Sequence, residues 1–176
     1  MILLPGLAGY VLFLLFDLNK IRWHRSLGNL LFPAGSVLLG LSVVLCIHAS
    51  VKDGFTLTLW GAVSLLFALI SLLATVYALF FALPANTYST SGELTVVATG
   101  LYGLCRHPAC WPYACIFLFL YIAFGGRMLL WAMFLYPGCN LLYVWLQDRY
   151  IFPAYIKGYE QYRLKVPFLI PRFGRK

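Results

Sequence analysis

Residues 27–49 and 55–83 are long apolar runs without a single Asp, Glu, Lys or Arg. The hydrocarbon core of a bilayer is about 30 Å thick and takes around 20 helical residues to cross. Both runs satisfy that length, and the second is long enough to tilt. Three further apolar runs occupy residues 2–18, 111–124 and 128–147. The first is short, which puts Pro5 and Gly6 near an interface. Gly125-Gly126-Arg127 is a tight turn, so the last two runs form an antiparallel hairpin. The segment 84–106 is polar and rich in Thr, Ser and Gly, and cannot span without internal partners for its backbone. After Asp148 the chain becomes an amphipathic tail carrying Tyr150, Tyr155, Tyr159 and Tyr162, which suits an interfacial helix. The expected fold is an all-α integral membrane protein of about five transmembrane helices, ending in the hairpin and a cytoplasmic tail. It forms one domain over residues 1–176, with three helices in 1–83 and a second region in 84–176.

Composition supports lipid as the solvent. Hydrophobic residues make up 62% of the chain and charged residues 10%, against about 25% charged in ordinary soluble domains. A soluble fold of this size has too much surface to hide that apolar content. The formal net charge is +8. Its cations flank the apolar runs, with no basic stripe or reading motif, which excludes nucleic-acid binding. They read as topology signals and contacts to anionic lipid. A secretory signal carries its cations before the apolar core. Here Lys20, Arg22 and Arg25 follow it, so the first helix is expected to be retained. Placing the loop after helix one inside gathers eleven of the thirteen cations on the cytoplasmic side, leaving Lys52 and Arg127 outside. The expected protein is multi-pass, with its N-terminus outside and its C-terminus cytoplasmic.

On that topology the polar loop and the tail share one face, and chemistry is expected where they converge. Arg106-His107-Pro108 stands where the loop re-enters the membrane. It is either a topology anchor with Pro in the first helical turn or an anion site using free N–H groups and charged donors. Asp148, one of five acids in the chain, closes the hairpin. Antiparallel neighbours should bring it close to His107. Cationic donors beside a carboxylate suit a zwitterionic amino-acid group. Cys105, His107, Cys110 and Cys115 lack the paired spacing of a zinc site, and no metal is expected. Cys46 and Cys139 read as small hydrophobes. His48 and Asp17 read as interfacial residues, Asp17 in a cluster with Asn19 and Lys20. Tyr88, Thr90 and Glu93 form either a lid over the site or an ordinary loop.

Residues 99–108, TGLYGLCRHP, resemble the isoprenylcysteine carboxyl methyltransferase family and its phospholipid methyltransferase relatives. Those proteins carry a Gly-x-Tyr…Arg-His-Pro block at the start of a helical hairpin. An acidic pair closes the hairpin, and a Tyr-rich tail with Val-Pro-x-x-Ile-Pro follows. Here the tail reads YEQYRLKVPFLIP over residues 159–171, and the resemblance covers about 94–171. It implies a membrane methyltransferase that uses S-adenosyl-L-methionine and acts on a lipid or another hydrophobic, lipidated acceptor. Carried over residue by residue, Tyr102, Arg106, His107 and Pro108 match the cofactor site. Asp148 stands at the second acidic position, and Arg163 lies toward the acceptor as the catalytic candidate. Three positions depart from the pattern. Cys110 replaces a Tyr, and Pro112 replaces a Gly and moves the expected helix start to Pro112. Gln147 takes the first acidic position, keeping hydrogen bonding and losing charge. The alternative reading is a non-catalytic or repurposed membrane protein that kept the fold. Membrane sterol reductases share a similar block but are much larger and carry Asn-Tyr after Arg-His-Pro, which this chain lacks. No feature specifies a prenyl group or an oligomeric state.

Overall fold

The computed structural model describes residues 1–82, 96 and 98–172. The possible lid residues Tyr88, Thr90 and Glu93, and the terminal cations Arg175 and Lys176, lie outside these. Among the described residues the fold is helical, with no strand element. The long helices are α1 (Leu4–Leu18), α2 (Leu31–Lys52), α3 (Leu59–Val76), α5 (Cys110–Phe124) and α6 (Arg127–Leu146). The short ones are α4 (Leu101–Leu104), α7 (Phe152–Tyr155) and α8 (Tyr159–Lys165). With their flanking turns, four spans are long and apolar enough to cross a membrane: Leu4–Trp23, Ser26–Lys52, Leu59–Phe81 and Arg127–Tyr155. Cys110–Phe124 is apolar but shorter.

The helices are inside-out relative to those of a soluble bundle. On α3 the buried positions are Gly61, Ser64, Ala68, Ser71 and Thr75, spaced three or four apart. Its large apolar side chains, Leu66, Phe67, Leu69 and Ile70 among them, face outward. Small residues inside allow close backbone approach, and apolar residues outside suit lipid. The same logic joins α1 to α2, where a Cβ on Gly9 would collide with the Gly35 carbonyl. At the centre Tyr136, Leu129, Ala132 and Cys46 are fully buried. The Tyr136 hydroxyl meets the Ser42 hydroxyl and donates to the Leu3 carbonyl (3.3 Å).

The α5–α6 hairpin turns on two glycines with left-handed backbone, Gly125 (φ +64°) and Gly126 (φ +84°). Ser50 Oγ of α2 donates to the Gly125 carbonyl (3.0 Å), tying the turn to the bundle. Cys110, not Pro112, opens α5, with Ala109 as its cap. Pro112 therefore stands in the first turn, where a missing N–H leaves no broken bond.

The three helices α1, α3 and α6 end alike, in π turns over Asn19–Trp23, Tyr77–Phe81 and Gln147–Ile151. Such widened turns are rare and recur at functional sites. The tail departs from the expected interfacial helix. Gly158 (φ +82°) breaks it between α7 and α8. Tyr159 and Tyr162 are buried with Val166 against Phe152 and Ile156, because their hydroxyls find inward partners; only Tyr150 is well exposed.

Candidate functional site

The tail clasps the Arg-His-Pro block through main-chain hydrogen bonds. Arg106 N donates to the Pro167 carbonyl (3.0 Å), His107 N to that of Phe168 (3.2 Å), and Arg172 N to that of Leu104 (3.1 Å). Trp111 Nε1 adds a bond to the Leu169 carbonyl (2.9 Å). Tyr162 donates to the Tyr102 carbonyl (2.6 Å), and the Tyr102 hydroxyl to the Ala78 carbonyl at the end of α3 (2.8 Å). Loop, tail and α3 thus meet at one end of the bundle.

There Arg106 and His107 converge on Asp148. Arg106 Nε lies 3.3 Å and His107 Nε2 3.5 Å from Asp148 Oδ1, all three side chains under 10% exposed. Tyr159 donates to the same oxygen (2.7 Å). Burial pushes the His107 pKa below its usual 6.5, against the pull of Asp148. His107 is thus a neutral imidazole beside a carboxylate, held between the rings of Phe152 and Phe168. Arg106 carries the positive charge and rests against the Phe168 ring (5.6 Å). Burial, and then Asp148, raise the Tyr159 pKa, so its phenol keeps its proton and donates. Arg106 Nε and His107 Nε2 are buried and meet Asp148 at ion-pair distance without hydrogen-bond geometry, and no other hydrogen-bond partner among the described residues reaches them. Such groups carry a cost of about 1–3 kcal/mol unless something meets them.

Both side chains line a cavity of about 450 Å³ enclosed by α1, α2, α3, α5 and α6, within the range of small-molecule sites. Tyr102, Pro108 and Gln147 line it as well. Most of its wall is apolar, with Phe13, Phe32, Leu72, Leu79 and Ile116 prominent.

Two expected site residues stand elsewhere. Asp148 does not line the cavity; it sits behind Arg106 and His107, its oxygen already shared among them and Tyr159. Arg163 does not line it either: its side chain reaches Glu160 (3.9 Å), and only its carbonyl touches the site, accepting from Arg106 Nη1 (3.4 Å). Arg163 is half-buried, one helical turn from the inward-facing Tyr159.

Sequence reasoning missed Asp17. It is 2% exposed, not interfacial. Its Oδ2 accepts from the Tyr143 hydroxyl (2.6 Å) and from Gln147 Nε2 (2.8 Å), and Gln147 Nε2 also donates to Tyr143 Oη (2.8 Å). The available signal was an acid flanked by apolar residues on both sides. A carboxylate there must find partners inside the bundle. No family model matches this chain, and no curated protein or solved structure matches it.

Proposed function

We propose that this chain is a multi-pass membrane protein whose five long apolar helices all cross the bilayer, N-terminus outside and C-terminus cytoplasmic, and that it is a methyltransferase using S-adenosyl-L-methionine on a hydrophobic, membrane-partitioned acceptor. The single observation that carries the reading is the buried pair Arg106 and His107 at the polar end of an otherwise apolar cavity, held by Asp148 at ion-pair distance but without hydrogen-bond geometry. The resemblance in residues 94–171 supports it. The residues present fit the cofactor: Arg106 and His107 offer donors to its carboxylate, while Tyr102 and Pro108 shape the same wall. Asp148 and Tyr159 are positioning residues that hold Arg106 and His107. When bound, S-adenosylmethionine supplies an electrophilic methyl group on a sulfonium. The protein's share is to align the two ligands and exclude water, which the aromatic and aliphatic wall favours. An acceptor whose apolar part fills that wall reaches the polar end with its head.

The second reading, a repurposed fold without the cofactor, is favoured by Gln147. Both its amide protons are spent on Asp17 and Tyr143, and none is left for a ligand.

Calorimetric titration of S-adenosylmethionine into the purified protein in detergent decides between them. The expected result is binding in the micromolar range, about −8 kcal/mol, lost in His107→Ala. No heat at millimolar ligand puts the repurposed fold first.

A further inference from the structure

The hydroxyl groups on the cavity wall share one property. Each hydroxyl has a single proton to donate, and in all six of them it is committed to the protein. Tyr10 donates to the Tyr136 carbonyl (2.9 Å), so the Tyr10–Tyr113 bond (2.5 Å) uses the Tyr113 proton. Ser36 donates to the Phe32 carbonyl (3.0 Å) and Thr75 to that of Ser71 (2.8 Å). Tyr102 donates to Ala78, and Tyr143 to Asp17. Gln147 has spent its amide protons, and Asn140 directs one of its two toward Cys110 Sγ (3.5 Å). Away from Arg106 and His107, the polar atoms left to meet a ligand are therefore mainly lone pairs.

Behind this wall stands Asp17. It does not line the cavity, but Tyr143 and Gln147 do, and both are oriented by its Oδ2. The cation nearest in sequence, Lys20, is turned over the ring of Phe16 (4.4 Å) and acts on Asp17 only from beyond ion-pair distance. In a low-dielectric bundle such a carboxylate favours positive charge nearby.

We propose that Tyr143, Gln147 and the carboxylate of Asp17 form a second polar station in the cavity. It selects an amphiphile headed by a protonated amine, with its apolar chain along the aromatic and aliphatic wall. Tyr143 Oη and the Gln147 carbonyl meet the ammonium; Asp17 is a positioning residue that fixes both and supplies the charge. A carboxylate or phosphate head at this station would face lone pairs and a like charge. The inference stands on the bond directions alone and does not rest on methyl transfer.

The test uses n-octylamine, n-octanol and octanoate, titrated calorimetrically into the full chain in lipid nanodiscs, with heats from empty nanodiscs subtracted. Octylamine is expected to bind at least about tenfold more tightly than octanol, and octanoate more weakly than either. Asp17→Asn and Tyr143→Phe should each remove most of that preference while leaving octanol within about twofold. Asp17→Asn combined with Gln147→Glu returns a carboxylate to the station and should restore it. Equal affinity of octanol and octylamine in the unaltered protein overturns the proposal, and so does an amine preference that survives Asp17→Asn. S-adenosylhomocysteine, which carries its own ammonium, is titrated in parallel. If Asp17→Asn weakens that ligand and leaves the octylamine preference intact, the station serves the cofactor and the amphiphile is excluded. If S-adenosylhomocysteine never binds while octylamine is selected, the methyltransferase reading fails and this one stands.

Discussion

Three residues share one carboxylate oxygen at the polar end of the cavity, and removing any of them acts on the others. Asp148→Asn leaves Arg106, the buried cation, uncompensated, a class of change that costs about 3–5 kcal/mol. Tyr159→Phe removes one hydrogen bond to the same oxygen and should cost about 1–3 kcal/mol. Thermal unfolding in detergent is expected to rank the two in that order; an equal loss would mean that Asp148 does not balance Arg106. His107 gives the site a pH signature. Its folded pKa is depressed by burial, so the unfolded chain takes up its proton first as pH falls. The stability it contributes is complete above about pH 6.5 and is lost progressively below that value. His107→Gln should therefore flatten the fall in melting temperature between about pH 7 and 5.5. An unchanged slope would assign that fall to other groups.

The hairpin makes the clearest demands on sequence at the level of elements. Gly125 and Gly126 both have positive φ, yet an added Cβ meets nothing at Gly125, whereas at Gly126 it runs into Ser50. Gly125→Ala should cost about 1–2 kcal/mol from backbone strain alone. Gly126→Ala should cost more, and its melting temperature should be the lower of the two. Pro112 is the opposite case. As a first-turn residue of α5 it breaks no helical bond, so Pro112→Ala should change stability by less than about 1 kcal/mol. A larger loss would show that its ring, and not its missing N–H, matters to packing.

At the scale of the whole molecule, the long helices, the hairpin and the meeting of Arg106, His107 and Asp148 were legible, because apolar length and antiparallel adjacency are written locally in the chain. What was not legible depends on distant partners. Asp17 looked interfacial because its partners, Tyr143 and Gln147, lie more than a hundred residues away. Tyr159 and Tyr162 looked amphipathic because their inward hydroxyl partners belong to other segments. The place of Asp148 behind its neighbours, and not in the cavity, follows from the turn that carries it. The proposed orientation has its own check. Single cysteines at Arg127 and at Arg163, in a background without other reactive thiols, are expected to label from outside and inside respectively. Labelling of both from one side would overturn the topology.

The widened turn at Gln147–Ile151 also bears on how such a chain tolerates change in length. An added residue in a helix rotates everything beyond it by about 100°. Through this turn Tyr143, Val144 and Gln147 face the cavity while Asp148 faces the tail. Removing one residue between 148 and 151 would return the segment to ordinary helical pitch and swing every later side chain around the axis. Substitution edits this site one group at a time; a single-codon deletion here would leave the cavity wall before it in place and turn the whole tail beyond it by about 100° at once.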